Sequence, residues 1–289
     1  MPIQASEFIQ NSDGSVYHLN LLPEHLADTV ITVGDPDRVE KVTRYFSKIE
    51  FKIKKREFHT QTGIYKGKCI SVVSTGIGPD NIDIVLNELD ALVNIDFKTR
   101  ELKEDKTSLD IIRIGTTGSI QEEIPVDSFL ISESAIGLDG LLHFYDSEHI
   151  QDLDFQEAFI KHLNWFEKKA APYVVSGGEK LIKRLEGTKV FKGVTGTNIG
   201  FYGPQGRVLR LALQDTKMNE KLASFSFKDR KITNLEMETS AIYGLSKLLG
   251  HQAVSMNAVI ANRAAGTFSK NSKKTVDELI QYSLEKLVK

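Results

Sequence analysis

The sequence predicts an α/β domain with helices on both faces of a central sheet. Short apolar runs alternate with amphipathic helical patterns from end to end of the 289 residues. No Pro/Ser-rich linker divides the chain and no internal repeat is visible. We therefore expect one domain over residues 1–289, with 1–15 as a flexible N-terminal extension. In such a domain the functional side chains are expected in turns at the strand ends.

The first elements are a strand, a capped helix, a second strand and a longer helix. The apolar run 30–34 predicts a buried strand. Asp35 and Pro36 are typical of the N-cap and first position of a helix, here predicted over 36–46. After a hairpin-like region, residues 69–74 predict a strand. Apolar residues spaced at 3.6 between 82 and 93 predict a helix.

The same alternation continues to the C-terminus. The charged stretch 98–108 predicts an exposed loop without a function of its own. We expect further strands at 110–114, 128–134, 190–194, 232–237 and 254–261, and helices at 155–169, 179–185, 238–249 and 276–288.

Composition excludes several classes of protein. The 37 Lys and Arg against 39 Asp and Glu give a net charge of -2, so nothing favours nucleic-acid or membrane partners. Any anionic ligand must then be bound by locally gathered cations. The single cysteine, Cys69, cannot form an internal disulfide and is predicted to be buried in its apolar run. Without a signal-peptide or membrane-span pattern, we expect a cytoplasmic protein.

Two strand-end turns are suited to an anion. Gly34 ends a strand, and Arg38 follows in the first turn of a helix, where the helix dipole also favours negative charge. Arg113 lies in an otherwise apolar strand, just before the Gly-Thr-Thr-Gly segment 115–118. A buried arginine is costly unless it meets an anion, and that anion could be a ligand or a structural carboxylate. From this segment alone both interpretations stay open.

A third glycine-rich turn, 75–81, superficially resembles a dinucleotide-binding fingerprint. Asn81 stands in place of the third glycine, and Asp80 would repel a pyrophosphate at the helix start. We therefore reject a dinucleotide site.

Two further stretches carry groups suited to a nucleoside. In an extended segment Glu236 and Glu238 project to one face, where they could accept hydrogen bonds from a ribose diol. They could equally be acids at a helix N-terminus. Phe201 could pack on a base whose imide edge meets Gln205, and Arg207 could stabilise negative charge on that base.

Seven motifs taken together resemble the nucleoside phosphorylases of the purine and uridine type, in family order, from about Val16 to the C-terminus. They are GDPDRV at Gly34, REF at Arg56, STGIG at Ser74, RIGTTG at Arg113, FYGPQGR at Phe201, EME at Glu236 and NR at Asn262. The resemblance implies a three-layer α/β/α sandwich around a mixed, partly barrel-like sheet.

The resemblance also implies roles for individual residues. Phosphate would be bound by Gly34, Arg38, Arg113 and Thr116, with Arg56 reaching the site of a neighbouring subunit. Ribose would be held by Glu236, Met237 and Glu238, with His18 crossing the same interface. The base would be bound by Phe201, Gln205, Arg207, Ile260 and Arg263. The catalytic groups would be Arg113, Gln205 and Arg207.

The implied reaction is reversible phosphorolysis of uridine to uracil and ribose 1-phosphate, in pyrimidine nucleoside salvage. Deoxyuridine and thymidine are further candidate substrates. Inorganic phosphate is the co-substrate and no cofactor is expected. Bacterial members build a potassium site between subunits near the 75–81 turn, but Pro79-Asp80-Asn81 depart from their pattern, so no metal is predicted.

The borrowed residues imply a homo-oligomer, a dimer at minimum, with a trimer of dimers as a further possibility. Three alternative functions remain open. They are a purine nucleoside phosphorylase, a hydrolytic nucleosidase of the same fold and a non-catalytic nucleoside-binding protein.

Overall fold

A computed structural model describes all residues from 1 to 289. Its strands are β1 (Thr29–Val33), β2 (Lys48–Lys55), β3 (Phe58–Tyr65), β4 (Lys68–Ser74), β5 (Ile95–Asp96), β6 (Glu101–Leu102), β7 (Asp110–Ser119), β8 (Phe129–Gly137), β9 (Tyr173–Ser176), β10 (Val190–Thr197), β11 (Ser226–Phe227), β12 (Arg230–Glu236), β13 (Gln252–Asn262) and β14 (Thr267–Phe268). Its α-helices are α1 (Pro36–Thr43), α2 (Pro79–Asn94), α3 (Leu153–Leu163), α4 (Glu179–Leu185), α5 (Met218–Ser224), α6 (Thr239–Leu248) and α7 (Ser272–Leu287).

Twelve of the strands form one mixed sheet, in the order β11-β12-β10-β8-β13-β7-β1-β4-β3-β2, with β9 on β8 and β14 on β13. The pairs β1–β4, β1–β7, β7–β13, β8–β10 and β10–β12 are parallel. An additional antiparallel pairing of β12 with β7 closes β7, β13, β8, β10 and β12 into a ring. The partly barrel-like mixed sheet is therefore confirmed.

Helices cover both faces of the sheet because successive strand residues point to opposite sides. Val30 of β1 and Ile111 of β7 belong to a core shared with α2 and α6. The next residues, Ile31 and Ile112, belong to a core shared with α1, α4 and α7. A third core joins α3 and α5 to β10 and β12. These layers confirm the three-layer arrangement.

Local sequence features predicted several boundaries. Asp35 caps α1 by accepting a hydrogen bond from the backbone N–H of Asp37 at 2.9 Å, and Pro36 opens the helix. Helix α4 spans the predicted 179–185. Helix α3 ends earlier than predicted, because Asn164 adopts a left-handed conformation with φ of 48°. The strands β5, β6, β9, β11 and β14 and the helix α5 were not predicted.

Arg100 contacts the start of the chain, and the expectation of a buried cysteine was wrong. Arg100 donates to the carbonyl oxygens of Ile3 at 2.9 Å and of Phe8, and to Gln10 Oε1 at 2.7 Å, while the flexibility expected of residues 1–15 stays a prediction. The stretch 98–108, predicted as a loop without function, thus supplies the anchor. Cys69 is exposed, because it alternates with buried Ile70 along β4.

None of the helices combines the length and apolarity that crossing a bilayer would need.

Candidate active site

The predicted site residues lie mostly at the ends of β1, β7, β12 and β13, or in the segments that follow them. Buried Arg113 of β7, only 6% exposed, is the centre of one group. Its Nη1 donates to Asn257 Oδ1 at 2.7 Å and to Ser255 Oγ at 3.2 Å, both on β13. Its Nη2 donates to Glu238 Oε2 at 2.6 Å and lies 3.1 Å from Glu236 Oε2. Both terminal nitrogens are therefore occupied, and only Nε makes no hydrogen bond.

The two carboxylates beside Arg113 have different surroundings. Glu236 accepts hydrogen bonds from Thr197 Oγ1 at 2.7 Å and from the backbone N–H groups of Glu238 and Thr239 at 2.9 Å. Glu238 instead accepts one backbone hydrogen bond, from Gly78 at 3.0 Å. The hydrogen bonds that Glu236 accepts from the protein thus fix it in place. Glu238 accepts fewer, so it can still accept a hydrogen bond from a ligand hydroxyl. Met237, between them, is half-buried.

Burial and mutual attraction set the ionisation of this group. Burial raises the pKa of Glu238, and Glu236 raises it further, while Arg113 opposes the rise; the pKa stays above the usual value. Burial lowers the pKa of Arg113, but Glu236 and Glu238 outweigh it, so the net shift is upward. Arg113 is therefore a permanent cation held by two carboxylates. Burying these three charges has a desolvation cost, which is typical of a functional site rather than of a core.

Two glycines make this arrangement possible. A Cβ added to Gly115 would lie 2.1 Å from Arg113 Nη1, so any side chain there would displace the guanidinium. Gly78 has φ of 99°, a conformation that L side chains rarely adopt, and this turn directs its N–H at Glu238. The 75–81 turn, rejected as a dinucleotide site, therefore helps to hold the carboxylate.

A second group faces an open cleft. Arg38, in the first turn of α1, donates from Nη1 to the carbonyl oxygen of Ile114 at 3.3 Å. It lines the cleft together with Thr116 and Ile260, while Gly34 lies at the end of β1 before the same helix. Burial lowers the pKa of Arg38; Asp35 opposes this, whereas the Arg113 charge adds to it. The turn between β1 and α1 therefore presents a cation that lacks a close counter-ion.

The third group is the base loop, residues 198–207. The Arg207 guanidinium stacks over the Phe201 ring at 3.9 Å. Its Nη1 donates to Gln205 Oε1 at 2.6 Å and to the carbonyl oxygen of Phe201 at 2.7 Å. Gln205 is only 2% exposed, whereas Phe201 is 50% exposed. The loop therefore combines a fixed amide, a guanidinium and an available aromatic face.

Arg263, which was predicted to bind the base, holds this loop from behind. Its terminal nitrogens donate to the carbonyl oxygens of Gln205 and, at 3.4 Å, Gly206. Its own backbone N–H donates to the carbonyl oxygen of Ser119 at the end of β7. Burial, with a contribution from the Arg207 charge, lowers the pKa of Arg263 to about 10. Arg263 therefore acts on the loop backbone in this structure.

His18 and Arg56 form a separate group. Arg56, in the turn between β2 and β3, has φ of 53° and lies over the Tyr17 ring at 5.7 Å. His18 Nδ1 is 2.7 Å from Glu88 Oε1, and Glu88 also accepts from the backbone N–H of His18. Neither residue makes a hydrogen bond or ion pair with the other three groups of the same chain.

Sequence reasoning missed the two anchors of Arg113, although a pattern could have revealed them. Ser255 and Asn257 interrupt the apolar run of β13 at positions i and i+2, so they share one face. That face meets Arg113 because β13 runs parallel to β7, with Ser255 opposite Arg113. Polar residues two positions apart in an otherwise apolar strand were thus the sequence signal for residues that contact the site.

The combined arrangement can bind an anion, a polyol and a planar polar ring. Its groups are an arginine-bearing cleft, a buried Arg-Glu-Glu cluster, a Phe-Gln-Arg loop and, without a hydrogen bond to these three, His18 and Arg56. No cluster of three or more His, Cys, Asp or Glu side chains could hold a metal ion.

Comparisons with known proteins agree with this chemistry. The family model of the phosphorylase superfamily matches residues 28–289. A uridine phosphorylase from Haemophilus influenzae is 31% identical over 255 residues, which cover 86% of this chain and 86% of that protein. A uridine phosphorylase from Thermococcus kodakarensis is 29% identical over 279 residues, covering 93% of this chain and 86% of that protein.

A solved structure is also similar throughout. It is a Trypanosoma brucei nucleoside phosphorylase described as showing uridine phosphorylase activity. Its TM-score to this chain is 0.87 at 30% sequence identity, and the alignment covers 98% of this chain and 99% of that one.

Proposed function

The chain belongs to the phosphorylase superfamily, and from that premise we propose that it catalyses the reversible phosphorolysis of uridine. The observation that carries the proposal is the base loop, in which Arg207 lies over the half-exposed ring of Phe201 and donates to Gln205 Oε1 at 2.6 Å. The names of the similar proteins point to the same substrate. The products are uracil and ribose 1-phosphate, and the enzyme is a pentosyltransferase of pyrimidine nucleoside salvage in the cytoplasm.

In the proposed mechanism, phosphate binds beside Arg38, Thr116 and the backbone of Gly34. Arg113 adds positive charge, and its unengaged Nε–H is the donor it can offer without breaking its existing contacts. A phosphate oxygen then bonds to C1′ of the ribose as the bond from C1′ to N1 of uracil breaks. Because the reactants are held in place, most of the catalysis is positioning and charge stabilisation.

The leaving uracil takes the bonding electron pair, so negative charge develops on its ring. Arg207 can donate to a carbonyl oxygen of that ring, and Gln205 offers its free amide N–H beside it. Glu238, with Met237, holds the ribose hydroxyls. Water protonates the departed uracil, so no covalent enzyme intermediate or cofactor is needed.

We also propose that the active unit is at least a dimer. His18 and Arg56 make no hydrogen bond or ion pair with the remaining groups of their own chain, which is expected if they serve a neighbouring subunit. Ile77, Ile199 and Tyr202, on the turns that carry the site, are 66%, 63% and 53% exposed. Exposed apolar side chains beside a site favour a protein partner.

A purine nucleoside is the weaker candidate substrate. Relatives that cleave purines place an acid after the last strand, where this chain has Asn262 and Arg263. Asn262 Nδ2 donates to the carbonyl oxygens of Gln121 and Ile124 at 2.9 Å, so it serves the backbone instead. No carboxyl group stands there to protonate a purine.

The deciding assay measures base release with and without phosphate. We expect phosphate-dependent release of uracil from uridine and none of hypoxanthine from inosine. Release without phosphate would identify a hydrolase, release from inosine a purine enzyme, and binding without release a nucleoside-binding protein. Deoxyuridine, assayed in parallel, measures the preference between ribose and 2′-deoxyribose. Thymidine measures tolerance of a methyl group at the 5-position of the base.

A further inference from the structure

A cleft between α1 and α7 adjoins the proposed phosphate position. Its volume is about 710 Å³. Five of its lining residues are cations and one is an acid, Asp277. The cations are Arg38, Lys41, Arg44, Lys273 and Lys274. This concentration of positive charge stands out in a chain whose net charge is -2.

Most of this charge is not neutralised by close ion pairs. Arg44 is paired with Asp277. Lys41 is 3.8 Å from Asp35 and Lys274 is 3.7 Å from Glu278, at the outer limit for an ion pair and on exposed side chains. Lys273 has no carboxylate partner. Three lysines are therefore available to an anion in the cleft.

The cleft is continuous with the phosphate subsite rather than separate from it. Arg38 and Thr116, two predicted phosphate ligands, are part of its wall. Lys41 follows Arg38 by three residues on α1, so it lies one turn further out, about 4.5 Å along the helix axis. Lys273 and Lys274, in the first turn of α7, also line the cleft. A phosphate at Arg38 would leave the outer cations unused.

We infer that this cleft extends the phosphate subsite and binds the second phosphoryl group of a diphosphate. Inorganic pyrophosphate, or the diphosphate of a nucleotide, would then compete with phosphate and inhibit turnover. The inner phosphoryl group lies at Arg38 and Thr116, and the outer one meets Lys41, Lys273 and Lys274. Lysines suit this role as mobile point charges for phosphate oxygens. The inhibition, but not the binding, rests on the function proposed above.

The test compares two triple variants. Lys41→Met/Lys273→Met/Lys274→Met removes the outer charges, and Lys161→Met/Lys168→Met/Lys180→Met removes three exposed lysines outside the cleft. Calorimetry measures binding of inorganic pyrophosphate and of adenosine diphosphate. Kinetics measures their inhibition against phosphate. Adenosine diphosphate is used because its base does not match the Gln205 and Arg207 edge.

We expect pyrophosphate to bind the wild-type protein and to compete with phosphate. The cleft variant should bind it about tenfold more weakly, the sum of three modest charge contacts, and should keep its KM for phosphate within about twofold. The control variant should behave as wild type. The tighter of the two ligands identifies the source of the diphosphate.

The inference is overturned if neither ligand binds, or if both bind the cleft variant as tightly as the wild type. Calorimetry does not depend on turnover. Failure of uridine phosphorolysis would therefore leave this result readable on its own.

Discussion

Arg113 is the residue whose interpretation changes most between sequence and structure. An arginine in a buried strand had to meet an anion, and a ligand phosphate and a structural carboxylate were both compatible with the sequence. The two carboxylates at 2.6 and 3.1 Å support the structural interpretation. Ser255 and Asn257 complete the hydrogen bonds of the guanidinium. Direct binding of phosphate by Arg113 stays a prediction, and the Nε–H is the donor that remains for it.

Glu236 and Glu238 also differ in a way that their spacing could not show. Both were predicted to face one side, and both lie beside Arg113. Only the structure shows that Glu236 holds the start of α6 whereas Glu238 can still bind a ligand. The difference depends on their partners Thr197 and Gly78, which are far away in sequence.

At the residue scale, replacing Arg207 tests the proposed leaving-group role. Arg207→Ala removes a donor aimed at charge that develops only as the glycosidic bond breaks. We expect kcat for uridine to fall by about 10²-fold or more, with a smaller change in KM for phosphate. Steady-state kinetics with both substrates varied measures this.

Leu209→Ala, at an exposed position two residues further along, is the matched control and should retain wild-type kinetics. Unchanged turnover of Arg207→Ala would remove Arg207 from the mechanism.

At the element scale, the short hairpin of β5 and β6 has an unexpected task. Arg100 has φ of 60° and points into the N-terminal segment, where its guanidinium lies over the Phe8 ring at 5.1 Å. Further hydrogen bonds hold the backbone just before His18. Asn11 donates to the carbonyl oxygen of Val16 at 2.7 Å, and Lys55 donates to that of Tyr17 at 2.5 Å. A charged stretch that resembled a solvated loop is thus part of the support of a predicted site residue.

Arg100→Ala should release residues 3–10 and loosen the segment that holds His18. Losing several hydrogen bonds from one charged group should cost about 2 kcal/mol in local opening free energy. Hydrogen exchange of residues 3–10 should accelerate, and KM for uridine should rise with little change in kcat.

Lys98→Ala, in the same hairpin and exposed, is the control. Unchanged exchange in Arg100→Ala would show that the segment is held by its apolar contacts alone. Faster exchange with unchanged KM would uncouple the segment from His18.

At the scale of the whole molecule, His18 and Arg56 make no hydrogen bond or ion pair with the other three predicted site groups of their own chain. A dimer would complete each site with His18 and Arg56 from the other copy. This arrangement predicts that two different inactive variants can rescue each other.

Arg56→Ala and Arg207→Ala should each be nearly inactive alone. Each mixed dimer has one native site of two, so the purified mixed species should have about half of wild-type activity. The measurement is uridine turnover after co-expression with two affinity tags and purification of the mixed species.

Arg207→Ala mixed with Gln205→Ala should show no rescue, because both residues belong to the same chain's part of the site. A mixture of Arg56→Ala and Arg207→Ala that stays inactive would contradict a site shared between subunits.

Local features of the sequence determined the elements and the chemistry of most site residues. Asp35-Pro36 specifies the start of α1 because capping depends on neighbouring residues alone, and apolar spacing specified α2, α4 and seven of the fourteen strands. The order of the motifs indicated the family, which the comparisons confirm.

Only the tertiary structure decided how these pieces meet. The ring that joins β12 back to β7, the anchoring of Arg113 by residues more than a hundred positions away, the docking of the N-terminal segment on Arg100 and the cationic cleft between α1 and α7 all join distant parts of the chain. The physical reason is that periodicity and capping are local properties, whereas the partners of a buried charge are set by strand register and packing across the whole sheet.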